Sequence, residues 1–160
     1  MPGLLAQRHR IEPEQRQRTR VALRRGRVED DLLRRIGVAS GNAITGTANP
    51  LGSIDARRVD ESFAAIGRLI ADWQPEALVV GIPRHPDGQP HEMTQHAERF
   101  ARRLEGRFGV VVRRVDERWT SVEARARGHA DDLDAGSAAV ILEQYLAEHA
   151  RTMKTTEAQP

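Results

Sequence analysis

The chain has 160 residues, 39% apolar and 30% charged, enough for about one domain with a real core. No apolar run approaches the ~18 residues of a membrane span, the basic N-terminus lacks the apolar core of a secretory signal, and the absence of cysteine excludes disulfides and thiolate metal sites. These features predict a cytoplasmic protein with no membrane partner, and a formal net charge of +2 hides ten arginines against five acids in residues 1–35.

Residues 1–27 show no sustained period and few large apolar groups, which predicts a mostly disordered or weakly helical stretch within a basic, irregular segment over 1–29. From Ile36 onward, "IGVASG" and "AITGTANPL" read as two short strands around a Gly41-Asn42 turn. "IDARRVDESFAAIGRLIADWQP" is an amphipathic helix with Phe63, Ile66, Leu69, Ile70 and Trp73 on one face, stopped by Pro75. "ALVVGIP" is an apolar run of the kind buried on both faces of a sheet. After a loop built on Pro86-Asp87-Gly88, Met93, Ala97, Phe100, Ala101 and Leu104 mark a second helix that Gly106 or Gly109 ends. "VVVRRV" is another strand, "WTSVEARARG" leads into a helix, and "DLDAGSAAVILEQYLAEH" is the last helix. The domain is expected over 30–149, with a flexible tail over 150–160.

Strands come first, then helix, strand, helix, strand, helix. That order predicts an α/β domain with a central mixed sheet and helices on its faces. In such sheets sites gather at the carboxyl ends of strands. Asp116, Glu117 and Arg118 stand where one strand runs out.

Side chains alternate across a strand, so at most one of Asp116 and Glu117 points into any one pocket. Asp134 opens the last helix, and Asp30 and Asp31 precede the first strand-like segment. Brought to one sheet edge, carboxylates from these three places would suit a hard cation such as Mg²⁺, which takes oxygen ligands. Two such ions about 4 Å apart can activate water and stabilise the leaving oxygen of a phosphodiester. The same residues also have a purely structural use, because acids at a helix start complement its dipole and Asp134 suits an N-cap. Arg118 either pairs with Asp116 or faces a phosphate, and Trp119 reads as a packing residue. The histidines have no ligand spacing, no glycine-rich nucleotide loop occurs, and the serines lack a nucleophile's surroundings.

"RIGVASGNAITGTANPL", "ALVVGIPRHPDGQPHEMTQHAERFARRL", "VDERWTSVEARARG" and "DLDAGSAAVILEQYL" together resemble the YqgF/RuvX family, over about residues 34–148 and in the family's order. Its members are compact ribonuclease H-like proteins, described as Holliday junction resolvases and as nucleases that mature the 5′ end of pre-16S rRNA. The resemblance implies an α/β ribonuclease H-like three-layer domain, a central mixed sheet flanked by helices. It implies acids on the first strand, on the strand ending in Asp-Glu-Arg, and on the last helix. By position the last two fall on Asp116 with Glu117 and on Asp134; Ser137 stands where the family pattern has alanine.

The implied activity is phosphodiester hydrolysis by a metal-dependent nuclease. Asp30, Asp116, Glu117 and Asp134 would be the catalytic and metal-holding residues for one or two Mg²⁺ or Mn²⁺ ions, with Arg118 and Arg35 on phosphates. The implied partners are pre-rRNA, ribosomal particles or branched DNA, bound by a monomer or weak homodimer. A non-catalytic nucleic-acid- or ribosome-binding domain is the reading from a different class.

The first strand departs from the pattern. Where the family reads Asp-x-Gly-x-x-Arg-Ile-Gly-Val-Ala, this chain reads "RGRVEDDLLRRIGVA". Asp30 keeps its register to Ile36, but Leu32 stands at the glycine, and Arg24 to Glu29 is too polar for the centre of a sheet. The first strand is therefore expected to be atypical or disrupted. Divergence with reduced activity and pairing in some other register are two explanations. A changed reading frame or start is the third and the favoured one, because the match resumes sharply at Arg34 or Arg35.

Overall fold

In "TRVALRR" a short apolar core alternates between two faces, and in the computed structural model this stretch is strand β1, Thr19–Arg25. The structure describes residues 18–25, 35–85, 87–89, 92–118 and 133–157. The described elements continue with β2 (Arg35–Asn42), β3 (Thr47–Asp55), α1 (Val59–Trp73), β4 (Ala77–Arg84), α2 (Glu92–Phe108), β5 (Val111–Arg118) and α3 (Leu133–Glu157). One five-stranded mixed sheet results, in the order β3-β2-β1-β4-β5. β1 lies at its centre, antiparallel to β2 and parallel to β4.

The expectation of an irregular segment over 1–29 therefore fails across Thr19–Arg25. The strand lies earlier in the chain than the family register at Asp30 implies, with Arg25 opposite Ile36 and Arg24 opposite Gly37. Its polarity is tolerated for a physical reason. Val21 and Leu23 enter the core on one face and Ala22 on the other, all buried. Both arginines that flank this apolar centre are buried and paired with carboxylates: Arg20 Nη2 lies 2.6 Å from Oε2 of the half-exposed Glu76, and Arg24 meets the buried Glu117.

The remaining elements follow the periodicities, with shifts at their ends. The β2–β3 turn falls at residues 43–46, just beyond the expected Gly41-Asn42. Asn42 Oδ1 accepts the N–H of Ile44 at 2.8 Å, and Gly46 takes φ +68°, which a residue without a Cβ adopts cheaply. Helix α1 buries Phe63, Ile66 and Leu69 and stops at Gln74, whose N–H donates to Ile70 O at 2.8 Å just before Pro75. Gly109, at φ +63°, ends α2; Gly106 lies inside the helix. Helix α3 continues to Glu157, into the stretch expected as a flexible tail.

Two cores sandwich the sheet. Helices α1 and α2 bring Phe63, Ile66, Phe100 and Leu104 onto Val21, Leu23, Val38, Leu78 and Val80. Helix α3 covers the other face, setting Ala138, Ile141 and Leu142 against Ala22, Ala39, Val79 and Val115. This is the three-layer α/β arrangement of a ribonuclease H-like domain. Arg114 fastens β5 to α2, its Nε 2.8 Å from Glu98 Oε2 and its Nη2 2.6 Å from Glu105 Oε1. Partial burial pulls its pKa down, but the hydrogen bonds and charges of Glu105 and Glu98 outweigh this and raise it. No helix among the described residues is long and apolar enough to cross a membrane.

Candidate functional site

Strand alternation decides which side chains meet under α3. On β1 these are Arg20, Ala22 and Arg24; on β2, Gly37 and Ala39; on β4, Val79 and Gly81; on β5, Val115 and Glu117. Arg24 lies opposite Gly37, and continuing the β1–β4 register by one residue from Leu23–Val80 places it beside Gly81. It thus stands between two positions that have no side chain.

Both gaps are filled from elsewhere. A Cβ on Gly37 would lie 2.0 Å from Asp134 O, so the first turn of α3 rests directly on β2. A Cβ on Gly81 would lie 2.8 Å from Glu117 Oε2 and 2.7 Å from Ile141 Cδ1, so the Glu117 carboxylate lies across β4. The result is a row across the sheet, beginning at the Asp134 backbone and running through Gly37, Arg24 and Gly81 to Glu117.

At the centre of this row Arg24 Nε donates to both carboxylate oxygens, at 3.2 Å to Oε2 and 3.4 Å to Oε1. The arginine side chain is 4% exposed and the glutamate 0%. With water excluded, each charge depends on the other, because a buried ion without a counter-ion costs several kcal/mol of desolvation.

Glu117 is thus the member of the Asp-Glu pair that faces α3. Asp116 faces the other way and is about half exposed, its Oδ1 3.6 Å from Arg84 Nε. Asp134 is buried in the first turn of α3. The fold brings Glu117 and the α3 start to the same face of the sheet and sends Asp116 elsewhere. Arg35 is exposed at the start of β2. Asp30, Trp119 and the stretch expected as a helix after β5 lie outside the described residues, as does the side chain of Arg118.

Arg24 is the residue that sequence reasoning passed over. The signal was present in the i, i+2, i+4 spacing of Arg20, Ala22 and Arg24 against Val21 and Leu23.

Ribonuclease H-like nucleases generally use divalent metals. Mg²⁺ or Mn²⁺ asks for several convergent oxygen ligands. Among the described residues no three histidine, aspartate or glutamate side chains gather where they could hold a metal ion. Glu117, the most deeply buried carboxylate of the row, has a guanidinium against both its oxygens. The described residues do not fit such an ion.

A family model described as "RuvX: Holliday junction resolvase" matches residues 33–148. The chain belongs to the RuvX family. The RuvX match begins after β1, so Arg24 lies outside it while Glu117 and Asp134 lie within. Several curated relatives are identical to this chain at more than half of the aligned positions. A protein of Paraburkholderia xenovorans is 54% identical over 71% of this chain and 81% of its own length. One of Paraburkholderia phytofirmans is 55% identical over the same shares, and one of Burkholderia ambifaria is 53% identical over 71% and 82%. All three bear the name "Putative pre-16S rRNA nuclease".

Proposed function

We propose that this RuvX-family chain is a phosphodiester-hydrolysing nuclease acting in the cytoplasm on structured nucleic acid, with the 5′ end of pre-16S rRNA as its substrate. One observation carries the reading. Two buried acids from distant parts of the chain, Glu117 at the carboxyl end of β5 and Asp134 in the first turn of α3, sit on one face of the sheet. That is where sites of open α/β sheets form. The names of the relatives, which match over some four fifths of their own length, support the substrate.

In this reading Glu117 and Asp134 are the carboxylates of the reacting centre, and Arg35 and Arg118 contact phosphates. Cleavage of a pre-16S rRNA 5′-end substrate tests it, comparing the wild type with Glu117→Gln and Asp134→Asn. The expected loss is roughly 100-fold or more for either variant, in the range for removing a positioned acid or base. Equal rates in all three would remove these residues from the mechanism.

The Arg24–Glu117 pair favours a second reading, a domain that binds precursor rRNA without cleaving it. Salt-sensitive RNA binding with no product under any condition would select this alternative. Branched DNA, the substrate in the RuvX family description, is the third arm of the same assay. Symmetric incision of a junction needs two active sites, so a strictly monomeric protein would count against it.

A further inference from the structure

A positive charge is already built into the row that joins Asp134 to Glu117. We propose that Arg24 is a resident counter-ion that competes with divalent cations for Glu117, so that the central strand supplies the charge a bound metal would otherwise bring. The proposal rests on the nuclease reading of the site, and its test is independent of RNA.

The geometry makes the competition direct. Nε of Arg24 engages both oxygens of Glu117 at once, and these are the atoms that a metal would need. The guanidinium is held in place by its surroundings. β1 is hydrogen-bonded on both sides, to β2 and β4. The space at Gly37 is taken by the Asp134 backbone, and that at Gly81 by Glu117 and Ile141. A cation approaching Glu117 would meet a like charge that already lies 3.2 Å from the carboxylate in a low-dielectric interior, where such repulsion is strong. It could bind only by driving Arg24 out of a site in which the side chain is 4% exposed.

Replacing Arg24 with a short acid reverses each of these effects. Arg24→Asp removes the like charge, leaves a void beside Glu117 and adds two oxygen ligands on the same face. The variant sets a second buried carboxylate beside Glu117 in place of the guanidinium, so a bound cation stabilises its folded state.

Mn²⁺ titration by calorimetry and thermal unfolding with and without millimolar Mn²⁺ test the proposal on the full chain, with no RNA present. Arg24→Asp is expected to bind Mn²⁺ at least tenfold more tightly than the wild type. Its Tm should rise with Mn²⁺ while the wild-type Tm stays fixed, and adding Glu117→Gln should abolish the rise. If Arg24→Asp folds only when Mn²⁺ is present, that supports the proposal. If it folds in neither condition, Arg24→Asn gives the answer: tighter Mn²⁺ binding than wild type supports the competition, and equal binding overturns it. Wild-type binding as tight as that of Arg24→Asp also overturns it, as does the absence of Mn²⁺ binding in every variant. Failure in these measurements leaves the pre-16S cleavage assay unaffected, so the two readings fail separately.

Discussion

Glu117 is wholly buried, and the Arg24 guanidinium 3.2 Å away holds its charge in the core. The partners of such a pair depend on each other far more than the pair contributes as a whole. Removing one partner leaves an uncompensated buried ion and costs about 3–5 kcal/mol, whereas replacing both by apolar groups is often neutral. Arg24→Met should therefore shift the urea unfolding midpoint down by an amount corresponding to about 3–5 kcal/mol. The double variant Arg24→Met/Glu117→Leu should recover most of that loss, a strongly non-additive result of the kind expected for residues in contact. Additive losses would mean that the two side chains are stabilised independently. Asp116 is the contrasting neighbour: half-exposed, with a long 3.6 Å approach to Arg84, it contributes little to stability. Alternation in the sequence limits a pocket to one of these adjacent acids. Choosing Glu117 required the sheet register, which no local pattern supplies.

The elements that could be read from sequence are those whose period is sustained. α1 and α2 have several turns of apolar residues on one face, and β4 is apolar throughout because both its faces are covered, so each stood out against its surroundings. β1 did not, because only Val21, Ala22 and Leu23 separate its arginines. Its burial is stabilised by partners distant in sequence, Glu76 and Glu117. The seating of α3 on β2 was equally hidden, since it rests on a missing side chain. Gly37→Ala would place a Cβ 2.0 Å from the Asp134 carbonyl oxygen, and backbone cannot move aside as a side chain can. The expected cost is about 1–3 kcal/mol, the range for overpacking. Gly106→Ala is the matched control: it sits inside α2, and an added Cβ meets nothing within 4 Å. It should stabilise by roughly 0.5–1 kcal/mol through helix propensity. Thermal unfolding of both variants checks the contrast, and a Gly37→Ala protein as stable as wild type would mean that α3 is free to shift off β2.

For the whole molecule, the RuvX family match and the centre of the fold do not coincide. The match runs over residues 33–148, yet the strand that joins the two halves of the sheet lies before it, at Thr19–Arg25. Without β1 the sheet would divide into β3-β2 and β4-β5, each with a newly exposed edge of unpaired backbone groups. The buried contacts of Val21, Ala22 and Leu23 in both cores would be lost as well. Four family motifs in the right order were enough to identify the domain from sequence. They carried no information about β1, which the arginines disguise. A chain shortened to residues 33–160 keeps every matched motif and should nevertheless fail to fold as one unit. Its circular dichroism melt should be broad, while the full chain melts cooperatively. Adding a synthetic peptide of residues 16–27 should restore a cooperative transition, because the peptide can complete the sheet by pairing with β2 and β4. The same peptide with Arg24→Ala should restore it less well, since Glu117 would then be buried without its cation. A cooperative melt of the shortened chain alone would show that β4 can close onto β2 directly, and that Arg24 is dispensable to the fold.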